Sequence, residues 1–223
     1  MVSHEELIAE LKNSIVNCDE GSANRAANTI LKRKIDPITA IREAVSPAAR
    51  IVGERFEKGE YYLADILLAA EAMKSTTNIL LTGVGQKAKT ELETKKLGKV
   101  VIATVSGDVH DVGKNIVATM LSVSDFTVYD AGRDRPSMEI INRAVETGSD
   151  IIALSALMTT SMPSQKEVID LLNAMGIRRR FAIIVGGGPT TKEWAREIGA
   201  DGWAKDASEA VRVAQGLAKK RRR

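Results

Sequence analysis

Lys99-Val100-Val101-Ile102-Ala103-Thr104-Val105-Ser106-Gly107-Asp108-Val109-His110-Asp111-Val112-Gly113-Lys114-Asn115 is the stretch on which the reading of this 223-residue chain turns. Lys99 to Val105 is a near-continuous apolar run, the signature of a strand buried on both faces of a parallel sheet. Gly107 to Asn115 is a polar, glycine-punctuated loop. Ile116 to Leu121 then opens a helix. One of the chain's two histidines sits in that loop, at the carboxyl end of a strand, where an α/β sheet presents its chemistry.

Downstream the same alternation repeats. Thr127 to Asp130, Ile151 to Leu154, Ala182 to Val185 and a short piece at Gly202-Trp203 read as strands. Helical spacing covers about 113–124, 136–147, 164–175, 190–198 and 207–218. The alternation predicts an α/β domain over 99–223, a doubly wound five-stranded parallel sheet. Upstream, residues 1–82 read as four helices with short connections, a helical bundle. Ser3 caps the first, whose apolar face is Leu7, Ile8, Leu11 and Ile15; Asp19-Glu20-Gly21-Ser22 breaks it. The second carries Ala26, Ala27, Ile30 and Leu31. Asp36-Pro37 starts the third, and Pro47 bends it. The fourth runs from about Leu63 to Leu81 with Ile66, Leu67, Ala70, Met73 and Ile79 as its buried stripe. Residues 83–98 read as a linker holding a frayed helix over Gln86 to Lys96.

Composition narrows the function classes. Apolar residues make up 44% and charged residues 27%, as in an ordinary globular protein. Cys18 is the single cysteine, which excludes an internal disulfide and a cysteine-rich metal site. No basic-then-apolar leader opens the sequence, and no run approaches the ~18 apolar residues of a membrane span. The expectation is a soluble cytoplasmic protein with no membrane partner. Much of the +3 net charge lies in Lys219-Lys220-Arg221-Arg222-Arg223, read as a solvated, disordered terminus. Basic residues interleaved with stacking aromatics are absent, so no nucleic-acid partner is expected.

Three loops following strands fall on one edge of the expected sheet: Ser106 to Gly113, Ser155-Ala156-Leu157-Met158-Thr159-Thr160-Ser161, and Gly186-Gly187-Gly188-Pro189. Their small residues leave room for a large ligand to approach the backbone. A zinc hydrolase needs several His or Cys ligands, and the other histidine, His4, lies in the first helix. Ser155 and Ser161 belong to no nucleophile elbow, and the glycine run lacks the lysine and hydroxyl of a phosphate loop. A lone histidine suits a metal whose other positions a macrocycle already fills. Asp108 would orient its second nitrogen and Ser161 would hydrogen-bond Asp108. The plainer alternative is a turn-capping His110 with Asp108 capping the helix near Gly113.

Asp108-Val109-His110-Asp111-Val112-Gly113 resembles the Asp-x-His-x-x-Gly signature of cobalamin-binding domains, continued by Lys114-Asn115-Ile116-Val117 as in methyl-transferring members. Ser155-Ala156-Leu157 and Gly186-Gly187-Gly188 resemble the family's later loops. Phe56 to Leu63 resembles part of its four-helix cap. Residues 5–218 are therefore similar to the corrinoid proteins of methanogen and acetogen methyltransferase systems and to the cobalamin module of methionine synthase. One departure is Asp125, where a helix-ending glycine is common in the family.

The resemblance implies a Rossmann/flavodoxin-like cobalamin-binding domain and a cobalamin or related corrinoid cofactor, cycling between methylcob(III)alamin and cob(I)alamin. It implies that His110 is the axial cobalt ligand, joined with Asp108 and Ser161 in a relay that couples protonation to cobalt state. Gly107, Val109, Asp111 and Gly113 would shape the loop under the corrin. Ser155 and Thr159 would contact the corrin or its nucleotide tail, Gly187 and Gly188 would open the tail slot, and Ala207 would lie near its end. Phe56, Tyr62 and Leu63 would cover the upper face; plain helical spacing gives Phe56 and Leu63 equally well as bundle core. The implied role is a methyl carrier, a subunit without catalysis of its own. One methyltransferase would load it from methanol, a methylamine or a methoxylated aromatic. A second would deliver the methyl group to coenzyme M or a tetrahydrofolate-type acceptor, and a corrinoid reductive activase would restore the cofactor. The alternatives are a cobalamin-responsive sensor or regulator, disfavoured by the absence of a DNA-binding module, and a mutase small subunit, disfavoured by the helical cap.

Overall fold

The computed structural model describes residues 3–85 and 96–221. The chain divides into two compact units, Met1–Lys96 and Leu97–Arg223. The frayed helix expected from Gln86 lies, but for Lys96, outside the described residues.

In the first unit, α1 (His4–Val16) begins with a reciprocal cap: the Ser3 hydroxyl accepts from the Glu6 amide at 3.1 Å, and the Ser3 amide donates to the Glu6 carboxylate at 2.6 Å. Leu7, Ile8, Leu11 and Ile15 are buried as their spacing predicts. The break after α1 is shorter than expected. Cys18 takes a left-handed φ of 59°, and Asp19 caps α2 (Glu20–Lys32) by accepting from the Ser22 amide at 2.9 Å. Glu20, Gly21 and Ser22 are therefore the first turn of a helix. Asp36 caps α3 (Pro37–Ala40) through the Ile38 and Thr39 amides. The chain then passes through a π-helical turn, Ile41–Val45, into α4 (Ser46–Glu57). Pro47 has no N–H for the carbonyl four residues back, and a wider turn just before it absorbs the mismatch. Ala40, Ala44, Ala48 and Val52 line the buried face, while Ile38, Ile41, Ile51 and Phe56 are half-buried.

In α5 (Leu63–Thr82) the buried stripe is Ile66, Ala69, Ala72, Met73, Thr76 and Leu80. Leu67, expected inside, is exposed, as is Leu68, and Ala70 and Ile79 are half-buried. The helix is apolar on nearly every side, so spacing alone leaves the buried face ambiguous. No described helix is long and apolar enough to cross a membrane.

The second unit is a five-stranded parallel sheet in the order β2-β1-β3-β4-β5, from β1 (Gly98–Val105), β2 (Phe126–Arg135), β3 (Ile151–Ser155), β4 (Ala182–Gly186) and β5 (Gly202–Ala204). The connecting helices are α6 (Val112–Val123), α7 (Ser137–Thr147), α8 (Met162–Ala174) and α9 (Lys192–Ile198), and α10 (Ala207–Arg221) closes the unit. Side chains alternate between faces. Val101, Ala103, Val105, Ile152, Leu154, Ile183 and Val185 join Ile140, Ile141, Val168, Leu172 and Phe181 in one core cluster. Each fully buried Ile or Leu there contributes roughly 1.5–3 kcal/mol. In the order 2-1-3-4-5 the strand order reverses between β1 and β3, the switch point at whose carboxyl strand ends an α/β sheet opens a ligand crevice. Asp125 does adopt the left-handed conformation, at φ 64°.

The basic terminus departs from the expected disordered tail. Lys219, Lys220 and Arg221 form the last turn of α10, where the helix dipole favours cations, and the Arg221 guanidinium donates to the carbonyls of Arg179 and Arg180.

Candidate functional site

β1 delivers the chain to the carboxyl edge of the sheet, where Gly107 turns it at φ 81°. That conformation favours glycine because it carries no Cβ. Two residues into the turned segment, Asp108 is fully buried. Its Oδ1 accepts from the His110 amide at 3.0 Å and is 2.8 Å from His110 Nδ1. Its Oδ2 accepts from the amides of Leu157 at 2.6 Å and Met158 at 3.2 Å, and lies 2.8 Å from the Ser161 hydroxyl. Ser161 Oγ is also 2.8 Å from the Met158 carbonyl; its single proton is better spent on the carboxylate.

Burial alone would push the Asp108 carboxyl up. The His110 amide, the Ser161 hydroxyl, the His110 ring and the Leu157 amide outweigh it and hold the carboxyl well below the usual carboxylate range. Asp108 is therefore an acceptor only, so Nδ1 of His110 carries the proton and Nε2 presents its lone pair. The imidazole is 49% exposed, and the buried Thr104 hydroxyl fixes its backbone by donating to the His110 carbonyl at 3.0 Å. Among the described residues no group of three or more His, Cys, Asp or Glu could hold a metal ion. What this loop offers a metal is one nitrogen, His110 Nε2.

Asp108 does not cap α6: the N-cap position is Asp111, without a side-chain cap hydrogen bond, and the Asp108 oxygens are committed to His110, Leu157, Met158 and Ser161.

The two loops joined through Asp108, with the start of α6, also expose apolar side chains. Val109, Val112, Leu157 and Met158 are all large hydrophobics left in the open, at 43–71% exposure. Gly113, in the first turn of α6, has open space where a Cβ would stand. Ser155 ends β3, paired with Thr104 on one side and Gly186 on the other. Thr159 is exposed in the following loop. Gly187 is required by the protein's own packing: at φ +123°, a Cβ there would lie 1.8 Å from the Ala156 carbonyl oxygen. Gly188 is exposed, with space that the Leu157 side chain borders at 3.3 Å. Ala207 opens α10 directly after β5, half-buried.

The loop after β1 and the loop after β3 thus meet through Asp108, and the glycine loop after β4 packs on the latter. Phe56, Tyr62 and Leu63 belong to the helical unit: Phe56 is half-buried in α4, while Tyr62 and Leu63 are exposed at the start of α5. Sequence reasoning missed the Leu157 and Met158 amides, which carry no side-chain signal. It also missed Gln165, fully buried one turn into α8. Its amide donates to the carbonyls of Leu154 at 3.0 Å and Gly186 at 3.1 Å, tying the ends of β3 and β4 together.

Comparison with known proteins agrees with this geometry. Residues 98–212 match a family described as "B12 binding domain", and residues 7–81 match a second family of the same description. The chain is 43% identical over 217 residues to dimethylamine corrinoid protein 2 of Methanosarcina acetivorans, covering 97% of this chain and 98% of that one. It is 41% identical over 211 residues to trimethylamine corrinoid protein 1 of the same organism, covering 95% and 96%. Among solved structures it resembles a chain of the methanol:cobalamin methyltransferase complex MtaBC from Methanosarcina barkeri. The TM-score is 0.87 at 27% identity, over 97% of this chain and 81% of that one.

Proposed function

The chain belongs to the corrinoid proteins built from B12-binding domains, and from that premise we propose that it carries a methyl group from a methylated amine, with His110 as the axial ligand of its cobalt. Its cofactor is a corrinoid, and its role in outline is that of a methyl carrier. The observation that carries the reading of His110 is its half-exposed ring, oriented by a buried, fully bonded Asp108, on loops that also expose apolar side chains.

The residues fit the group. A corrin is broad, largely apolar and already fills four cobalt positions, so it needs one imidazole nitrogen and a hydrophobic bed. When bound, it supplies the cobalt that accepts and releases the methyl group. His110 offers Nε2, and Val109, Val112, Leu157 and Met158 form the bed. Gly107 and Gly113 keep the loop low enough for close approach. Asp111, Ser155, Thr159, Gly187, Gly188 and Ala207 are proposed contacts of the ring and its tail, and Phe56, Tyr62 and Leu63 are proposed to shield the opposite face. His110 would hold the group through Nε2 while its Nδ1 proton stays on Asp108, whose carboxylate also accepts from Ser161 and two backbone amides.

The proposed donor is dimethylamine or trimethylamine, supported by the identity to corrinoid proteins of those names. The proposed partners are a donor-specific methyltransferase, an acceptor methyltransferase serving coenzyme M or a tetrahydrofolate-type carrier, and a reductive activase. The test loads the protein with reduced cobalamin and offers partner methyltransferases for methylated amines, methanol and methoxylated aromatics, each with its donor. Methylation with an amine partner alone is expected. Methylation only by the methanol or aromatic partner overturns the donor assignment, and none with any partner overturns the carrier reading.

A further inference from the structure

β2 is irregular where it passes the His110 loop. Ile102 of β1 faces Asp130, Ala103 faces Gly132 and Val105 faces Arg135, so β2 bulges twice against a regular β1. Gly132 and Asp134 both take positive φ, 98° and 50°. Bulges of this kind re-aim side chains beside functional loops, and a non-glycine residue in the left-handed region holds its place only when its surroundings fix it.

Both aspartates of the bulged segment reach the His110 loop. Asp134 Oδ1 accepts from the Gly107 amide at 2.8 Å, and the Asp134 amide donates to the Asp108 carbonyl at 2.9 Å. Asp134 thus grips the start of the loop at its turn. Asp130 Oδ2 accepts from Lys114 Nζ at 2.6 Å, while its Oδ1 accepts from the Gly132 amide at 2.8 Å. Lys114 follows the loop in the first turn of α6. Its side chain is 1% exposed, and it also donates to Asn115 Oδ1 at 2.7 Å. A lysine buried this deeply is stable because it is paired, and its partner is the bulged strand.

We propose that Asp130 and Asp134 are positioning residues that clamp the two ends of the 107–114 segment, the His110 loop and the first turn of α6, and so hold His110 ready to ligate cobalt. The proposal rests on the reading of His110 as the axial ligand. In that reading His110 competes with the cofactor's own base for one cobalt position. A loop fixed before binding loses less freedom when it ligates, so the clamp favours His110 in that competition.

Cobalt(II) EPR separates the two ligands. Protein uniformly labelled with nitrogen-15 and loaded with unlabelled cob(II)alamin gives a doublet superhyperfine splitting from a protein nitrogen and a triplet from the cofactor's base. Asp134→Ala and Lys114→Met are each expected to lower the doublet-to-triplet ratio about threefold to tenfold, the worth of one such hydrogen bond. Asp134→Asn, whose amide oxygen can still accept from Gly107, is expected to restore it. Hydrogen exchange of the 107–114 amides in the cofactor-free proteins is expected to quicken in Asp134→Ala and Lys114→Met alone. Unchanged EPR and unchanged exchange in these two variants overturn the clamp. A parent protein with no doublet overturns the His110 reading instead, and the exchange arm still decides whether the clamp exists.

Discussion

Replacing Asp108 with Asn tests the buried centre of the site most severely. Every acceptor position of Asp108 is used: two contacts to Oδ1 and three to Oδ2. An amide has one acceptor oxygen and one NH2 group. If its oxygen faces Leu157, Met158 and Ser161, its NH2 meets the His110 amide and ring. If it is flipped, the NH2 meets two backbone amides. Either way donors oppose donors in a fully buried space. Hydrogen bonds to a charged acceptor are worth about 1.5–3 kcal/mol each, and breaking a buried charged network costs roughly 3–5 kcal/mol, so a loss of about 3–5 kcal/mol is expected in urea unfolding of the cofactor-free protein. The pH dependence has a definite sign. Because the folded carboxyl lies below its unfolded value of about 4, Asp108 stabilises fully above that value and loses its contribution as pH falls further. The parent should therefore lose stability on acidification below about pH 4 more steeply than the Asn variant. A variant within ~1 kcal/mol of the parent, with the same acid limb, would refute the network's weight.

Gly187→Ala puts a methyl group into the Ala156 carbonyl at positive φ, and should cost about 2 kcal/mol or more in thermal or urea unfolding; an unaltered stability contradicts the packing reason for that glycine. Leu157→Asp changes a half-exposed side chain of the apolar bed, so it should leave the cofactor-free stability within about 0.5 kcal/mol while weakening corrinoid binding at least tenfold by equilibrium dialysis. Undiminished binding removes Leu157 from the bed. Ser161→Ala should lose about 1 kcal/mol of stability. With one donor fewer on Asp108, the proton taken up on reduction to cobalt(I) should be taken up at higher pH in spectroelectrochemical titration; an unaltered pH profile removes Ser161 from the relay.

The α/β half was legible because its strands are short, apolar and punctuated by glycine, a pattern few other structures satisfy. The site's heart was legible too: the hydrogen bonds expected of Asp108 with His110 and Ser161 are both present, each at 2.8 Å. What escaped reading had physical causes. Leu67 faces outward because α5 is apolar on almost every side and its spacing favours no one face. The π turn before Pro47 is a backbone response with no residue code of its own. Lys114 and Asp130 are an ordinary charge pair in sequence; only the fold buries the Lys114 side chain and sets it 2.6 Å from the Asp130 carboxylate on β2. Gly187 looked like room for a ligand, but the Ala156 carbonyl already claims that space.

The central claim is that His110 Nε2 binds cobalt. Nitrogen-15-labelled parent and His110→Ala proteins, each loaded with unlabelled cob(II)alamin, decide it by EPR. A doublet is expected from the parent and none from the variant. A triplet with no doublet, or a spectrum without nitrogen splitting, in the parent contradicts it.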